Sequence, residues 1–493
     1  MVSSGLFKKP GFLLFCLLLI AAVSRLPLLF PDRMILDGDE ALMGLMSIHQ
    51  LELGEIPWFF WGQRYGFSLI EVCTISVFHH LLGYSDLAVK LAMLLIWLVA
   101  LTGLFLFAKE KLSPQWAFAL VLLFALHPVW FYWSLKARGG YLTTLASTGW
   151  LFYLASKQTI PLWLRGLGMG ILLALIYHAM KLWIPSSLLM LIALAYHQDK
   201  RWQLSLFTLA GFSISFTGMY LLSLNYVDYW HPSVLDFSLW QKNAGLALNR
   251  LQDFFEGNYF LGDIHPVKNW TYISWLLVKG FFLVSLILTI LQWKERKDKP
   301  AQILFLIAAF VPMGILIATN EFFSPRYLLP VPFFLFFWCA LQWKNLRFSA
   351  LLRSLGIATS LIFLAGSWQL TGTDFYQKRV QERTDKIQLS KMLVDDQYRY
   401  VLCNTPETHW QLMYYSGAGL ICSGIYPHDR FQAFPNTVRE AYQKGKPVPV
   451  LSGDSRSWQH LDTYMERYGS QYIIRQPAQW QLDSLGFEMR ILY

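Results

Sequence analysis

Three carboxylates fall within four residues at Asp37-Gly38-Asp39-Glu40. Carboxylates beside a bilayer are costly to bury without a purpose. Their structural uses are helix capping and favourable placement at the positive end of a helix. Capping needs one such residue, not three, so the cluster is a candidate for proton transfer. Arg64, Lys136, Arg138, Lys181 and Arg326 are candidate partners for an anion. A guanidinium fork matches phosphate oxygens better than an ammonium does. The competing use of a terminal Lys or Arg is to reach out of the membrane along its own alkyl stem, and this suits Lys181 and Lys136 best. Arg138 and Arg326 stand beside Gly139-Gly140 and Pro325, where backbone can approach a ligand.

The elements that must position these residues are membrane spans. The chain has 493 residues, of which 55% are hydrophobic and 15% charged. Soluble domains carry roughly 25% charged residues. Apolar runs of about 20 residues, the length of a helix across a bilayer, recur as far as Trp368. About eleven spans are predicted, centred on 11–30, 86–107, 115–132, 140–156, 166–179, 183–196, 204–224, 271–292, 302–319, 328–343 and 351–369. If the N-terminus is cytoplasmic, every inside turn is short and basic: Lys8-Lys9, Lys109/Lys111, Lys157/Arg165, Lys200-Arg201, Lys294 to Lys299 and Lys344 to Arg353. That is the positive-inside pattern, and it predicts an odd number of spans, N-in and C-out. The first span ends at Ala21-Ala22-Val23-Ser24, which also resembles a signal-peptide end; a retained anchor gives the same topology with fewer assumptions.

The long polar segments, 31–85, 225–270 and the tail, then share the outer face. Within 31–85, Asp39 is expected to open a helix with Ala41, Leu42, Leu45, Met46, Ile48 and Leu51 on its apolar side, lying along the membrane. A second amphipathic stretch covers Phe67 to Leu82. Trp58, Phe59, Phe60 and Trp61 suit membrane anchoring, or a sugar or lipid site. The division expected is 1–370 for the membrane region and 371–493 for a small outer α/β domain. In that domain Tyr398–Cys403, Ala418–Cys422 and Tyr472–Ile474 read as strands. Pro406–Tyr415 (with Thr405 as a possible N-cap), Val438–Lys444 and Trp458–Tyr468 read as helices. Cys403 and Cys422 are open to either a disulfide or two separate buried thiols.

Several classes are disfavoured. The net charge of +10 is spent on membrane topology and gives no reason to expect nucleic acid. The five cysteines lack zinc spacing. No phosphate-binding Gly-Lys-Ser/Thr loop is present, which argues against ATP-driven transport. His178 suits the membrane interface more than a ligand role. His265 could join a carboxylate at a divalent metal, but the residues do not define a metal site.

The Asp39-Glu40 pair just after the first span, the helix, the glycine–proline turn and Arg64-Tyr65 resemble the first extracytoplasmic loop of GT-C fold glycosyltransferases. These use polyprenyl-phosphate sugars and include protein O-mannosyltransferases and aminoarabinose transferases. Trp133-Ser-Leu-Lys-Ala-Arg-Gly-Gly-Tyr141 and Ser324-Pro-Arg-Tyr-Leu-Leu-Pro330 are similar to segments of the same superfamily. There is one departure. Where aminoarabinose transferases follow Arg-Tyr with an acidic and a basic residue before Pro, this chain has Gly66-Phe67-Ser68. The metal or phosphate role of that element therefore does not carry over, and the chain looks closer to the broad bacterial family-39-like set.

The resemblance implies a multi-pass protein of the bacterial cytoplasmic membrane that moves a sugar from polyprenyl phosphate to a hydroxyl on a glycan, lipid or protein. Asp39 would be the general base. Glu40 or Asp37 would orient the acceptor or raise the basicity of Asp39. Arg64, Tyr65, Lys136, Arg138 and Arg326 would meet the donor. A lipid or sugar transporter is the alternative, but the chain shows no paired repeat and places its carboxylates in a loop. A non-catalytic assembly protein or sensor leaves the acidic loop unexplained.

Overall fold

The computed structural model describes residues 9–196, 198, 200–226, 240–255, 259–260, 263–264, 270–292, 299–318, 325–344, 346, 348–403, 407–424, 431, 433–452, 474–475 and 488–492. In chain order the helices up to the tail are α1 (Pro10–Val23), α2 (Gly38–Leu53), α3 (Leu69–Leu82), α4 (Asp86–Lys111), α5 (Pro114–Ala125), α6 (Pro128–Trp133), α7 (Tyr141–Ser156), α8 (Leu162–Ala179), α9 (Ile184–Ala195), α10 (Arg201–Ser223), α11 (Trp240–Phe255), α12 (Trp270–Leu291), α13 (Lys299–Ile317), α14 (Val331–Trp343) and α15 (Ser349–Thr371). A two-stranded antiparallel ribbon, β1 (Tyr259–Phe260) and β2 (Asp263–Ile264), lies between α11 and α12.

Each expected span falls on a helix, with two differences in form. The third is broken into α5 and α6, because Pro128 has no N–H and holds His127 in an extended conformation. The first stops at Val23, where the buried Arg25 turns inward and donates to Ser134 Oγ, Ser24 Oγ and the carbonyls of Ala125 and Trp130. Among the described residues five helices are long and apolar enough to cross a membrane: α4, α8, α10, α13 and α15. Others, such as α1 and α5, are apolar but shorter.

Small residues let the helices approach closely. A Cβ at Gly103 of α4 would lie 2.9 Å from Trp150 N, and one at Gly149 of α7 would lie 2.9 Å from Leu104 N. Between α8 and α10 the fit is tighter, with a Cβ at Gly170 falling 2.3 Å from Phe212 N and one at Gly211 falling 2.5 Å from Leu167 O. Several of the basic turns meet at one end of the bundle. Lys157 pairs with Glu110 at 3.0 Å, Arg165 donates to Lys157 O, and Lys344 donates to Lys111 O.

The tail opens with a polar helix the sequence reading did not include, α16 (Asp374–Asp395). It continues through β3 (Tyr400–Cys403), α17 (Thr408–Tyr415), β4 (Ile421–Gly424), α18 (Ala433–Gln443), β5 (Val448–Ser452), β6 (Ile474–Arg475) and β7 (Glu488–Leu492). The sheet order is β4-β3-β5-β7-β6, with β3 parallel to β4 and β5, and β7 antiparallel to β5 and β6. Cys403 and Cys422 are two separate buried thiols on adjacent strands, with no disulfide between them. The N-cap of α17 is Glu407; Thr405 and the expected helix Trp458–Tyr468 lie outside the described residues. One apolar core runs from Leu13 of α1 through Phe363 of α15 to Leu412 and Phe434 of the tail.

The α8–α10 contact yields a direct test. Gly170→Val or Gly211→Val forces two backbones apart, at a cost of about 1–3 kcal/mol or more, and is expected to lower the melting temperature of the detergent-purified protein. Gly218→Ala, on α10 but with nothing within 4 Å, is expected to leave it unchanged. Equal melting of all three variants would show that the two helices do not touch there.

Candidate active site

Helix α2 begins one residue earlier than expected, and the acidic cluster divides its work. Asp37 is the N-cap. Its Oδ1 accepts from Glu40 N–H at 3.0 Å, and its own N–H donates to Glu40 Oε2 at 3.1 Å. This capping box uses Asp37 and Glu40. Asp39, between them, meets Arg138 Nε through Oδ2 at 2.9 Å.

Glu40 is fully buried. Its Oε1 lies 2.5 Å from Lys90 Nζ and accepts from Ala137 N–H at 3.4 Å. Burial pushes its carboxyl up from the ordinary range, and Lys90 is the largest influence pulling it back. Asp37 accepts from Lys136 Nζ at 3.0 Å and lies 3.7 Å from Arg138 Nη2. Burial alone would raise Asp37, but Lys136 and Arg138 outweigh it and hold the carboxyl well below the usual range. Lys136 and Arg138 both lie over the Trp133 ring. Lys136 is therefore a buried partner of the acidic cluster rather than a side chain reaching for the membrane surface.

The turn carrying these cations is fixed from several sides. Gly139 and Gly140 have φ of 56° and 101°, a region that favours glycine. A Cβ on Gly139 would meet Phe60, and one on Gly140 would meet Ala179. Glu71 of α3 is buried, and its Oε1 accepts from Gly140 N–H, Thr143 N–H and Thr143 Oγ1 at 3.1, 3.2 and 3.3 Å. Burial pushes Glu71 up to about 7 against the pull of those donors.

Arg326 joins the site from the turn before α14. Its Nη2 donates to Tyr327 Oη at 3.4 Å, and it makes no ion pair among the described residues. Tyr141 raises its pKa most, while burial and the like charge of Arg138 act the other way. Arg64 and Tyr65 belong to a neighbouring group. Arg64 is exposed and donates to Tyr226 O at 2.8 Å, and Lys181 lies over the rings of Tyr65 and Tyr177. The two groups touch through the hairpin Phe59–Phe67. Gly66 and Phe67 donate to His178 O, and Gly66 approaches Gly139 O. The His178 ring is packed among Phe59, Tyr177 and Phe216.

Phe59, Phe60 and Trp61 are buried in protein, which corrects the membrane-anchor reading; Trp61 stacks on Phe431 of the tail at 4.3 Å. Among the described residues no three His, Cys, Asp or Glu side chains gather as a metal site would need; His265 lies outside those residues.

The tail also reaches the acidic cluster. Glu407 Oε2 accepts from Gly38 N–H at 3.3 Å. Its φ is 67°, and a Cβ on Gly38 would fall 2.1 Å from Glu407 Cβ. Burial first, then Asp37 and Asp39, push the Glu407 carboxyl up. Lys90, Glu71 and Glu407 were not picked out in the sequence. Lys90 had a signal: with Asp86, it is one of two charges within the expected span 86–107, and such residues are functional or paired by default.

The chain has the fold of the GT-C glycosyltransferases. It aligns over 97% of its length with 97% of ArnT, an aminoarabinose transferase from Cupriavidus metallidurans, bound to undecaprenyl phosphate, at TM-score 0.62 and 11% identity. The apo form of the same enzyme gives 0.63 at 10% identity, with the same coverage of both chains. The Archaeoglobus fulgidus oligosaccharyltransferase in its apo form gives TM-score 0.51 at 12% identity, over 96% of this chain and 75% of that one. Arabinofuranosyltransferase AftD from Mycobacteria gives 0.50 at 14%, over 94% of this chain and 37% of that one. No family model matches the chain, and neither does any curated protein.

The Glu40–Lys90 pair generates a stability prediction. Lys90→Met leaves a buried carboxylate without its cation, at a cost of about 3–5 kcal/mol, and a large fall in melting temperature is expected. Adding Glu40→Gln should recover part of the loss. Thermal unfolding in detergent reads both, and a Lys90→Met protein that melts like wild type would show that the pair is not what holds α2 to α4.

Proposed function

We propose that this protein is a membrane glycosyltransferase that moves a sugar from a polyprenyl-phosphate donor to an acceptor hydroxyl, with inversion and with Asp39 as general base. One observation carries the reading. The capping box uses Asp37 and Glu40, while Asp39 faces a turn whose Arg138 has a second guanidinium, Arg326, as its electrostatic neighbour. A carboxylate next to converging guanidinium groups is what a hydroxyl attacking a phosphate-bearing carbon requires. The undecaprenyl phosphate bound to ArnT supports the donor class.

The step follows from that arrangement. Asp39 takes the acceptor proton as the acceptor oxygen forms its bond to the anomeric carbon. The bond from that carbon to the phosphate oxygen breaks, and polyprenyl phosphate leaves with the electron pair. Phosphate is a stable anion and needs no proton to leave, so the protein's task is to cover its charge. Arg326 and the Arg138 guanidinium do this. Asp37 and Lys136 hold the turn, Glu40 fixes the helix, and Arg64 and Tyr65 line the lipid's approach. The N-terminus is cytoplasmic, and the site and tail face outward across the bacterial cytoplasmic membrane.

Wild type, Asp39→Asn and Arg326→Gln would be assayed with a panel of polyprenyl-phosphate sugars, following release of polyprenyl phosphate. Asp39→Asn is expected to lower kcat by about 10²–10⁴-fold, the range for lost general base catalysis, and Arg326→Gln to raise KM for the donor. An Asp39→Asn enzyme with wild-type kcat refutes the base assignment. Wild type that releases nothing but moves the lipid across liposomes identifies a transporter.

A further inference from the structure

Two buried carboxyls from the first outer loop grip the segment that carries Arg138. Glu40 accepts from Ala137 N–H, just before it, and Glu71 accepts from Gly140 N–H and from Thr143, just after it. Gly140 is the N-cap of α7 and has no side chain with which to cap the helix. Glu71, brought in from α3, supplies that cap. Glu71 forms no ion pair among the described residues, and its second oxygen is buried without a hydrogen-bond partner. An apolar residue with a local Ser or Asp cap on α7 would have been the less costly arrangement. What the observed one adds is a fixed distance between α3, the hairpin Phe59–Phe67 and the turn at Gly139-Gly140.

We propose that Glu71 is a positioning residue of the transferase site. It holds the Gly139-Gly140 turn so that the Arg138 guanidinium meets Asp39 and the donor phosphate together. The inference rests on the glycosyltransferase reading above. Glu71 touches no substrate and acts through Arg138.

The test is a double-mutant cycle on the full-length protein in detergent. Glu71→Ala, Glu71→Gln, Thr143→Val, Arg138→Ala and Glu71→Ala/Arg138→Ala would be compared for melting temperature, kcat and KM of the donor, and Kd for undecaprenyl phosphate. Glu71→Ala is expected to lower kcat/KM by about 10–100-fold, as a misplacement of about 1 Å does. Glu71→Gln, which keeps the accepting oxygen, should return to within about 3-fold of wild type. Because Glu71 acts through Arg138, the double variant should be no worse than Arg138→Ala, in turnover and in phosphate Kd alike.

Additive losses, or a folded Glu71→Ala with wild-type kinetics and phosphate binding, overturn the proposal. A purely structural role would lower melting temperature and active fraction while leaving KM and Kd unchanged, which also overturns it. If Glu71→Ala does not fold, Thr143→Val decides: loss of turnover in the same direction supports the proposal, and no loss refutes it. If wild type releases no polyprenyl phosphate, the glycosyltransferase reading fails, and the phosphate Kd values alone decide whether Glu71 acts through Arg138.

Discussion

A carboxylate removed from water must be met by a cation or by hydrogen-bond donors, because its desolvation is otherwise uncompensated. Glu40 is such a group, and satisfying it fixes most of the site. Lys90 must lie at the top of α4, so the register of that helix against α2 is set. Asp37 N–H must point at Glu40, so the chain enters α2 in one conformation. Ala137 N–H must reach it too, so the turn after α6 comes to the same place. With those constraints met, Asp39 is on the next position of the helix and Arg138 on the next position of the turn. The burial of a neighbour thus brings together the two groups whose opposite charges then hold them at 2.9 Å.

The same end of α2 explains why a polar tail belongs with a membrane bundle. Glu407 is held in a left-handed conformation that costs a non-glycine residue about 1–3 kcal/mol. Its Cβ occupies the space that any side chain at position 38 would need. Other contacts offset that strain: Arg383 pairs with Asp86, Gln411 donates to Leu36 O, and the Tyr414 ring rests on Gly44. The tail is thus a wall beside the acidic cluster, packed on α2 by α17, with α16 behind it. The glycine in Asp37-Gly38-Asp39-Glu40 is there to let that wall approach.

How far this was readable from sequence depends on the range of the interaction. Helices at the expected spans were legible because lipid imposes hydrophobic length locally. The Asp37–Glu40 cluster and the Lys136–Arg138 segment were legible as dense charge in an apolar chain. Their pairing was not, since Asp39 and Arg138 are 99 residues apart and Gly38 and Glu407 are 369 apart. Helix α2 opens at Gly38 rather than Asp39, with Asp37 as its N-cap, a one-residue shift that only the backbone geometry reveals. Trp58 to Trp61 suited an interface belt by composition, yet three of them are core residues: the tail covers Trp61, Phe59 packs on Phe67, His178 and Tyr226, and Phe60 lies against the Gly139 turn. Helix α16 had no apolar run to announce it.

Arg138 and Arg326 are like charges in a half-buried place, an arrangement that raises the energy of both unless an anion comes between them. Asp39 and Asp37 quiet Arg138, while Arg326 has aromatic neighbours and no carboxylate among the described residues. A donor phosphate entering beside Arg326 would therefore compete with Asp39 for the Arg138 fork. On the proposed reading this links the two halves of the reaction. The bond that restrains Asp39 loosens as the phosphate arrives, so an Asp39 oxygen becomes available to the acceptor hydroxyl when there is a donor to attack. On that reading the Arg138–Asp39 ion pair would keep Asp39 restrained in the absence of donor and release it on donor binding.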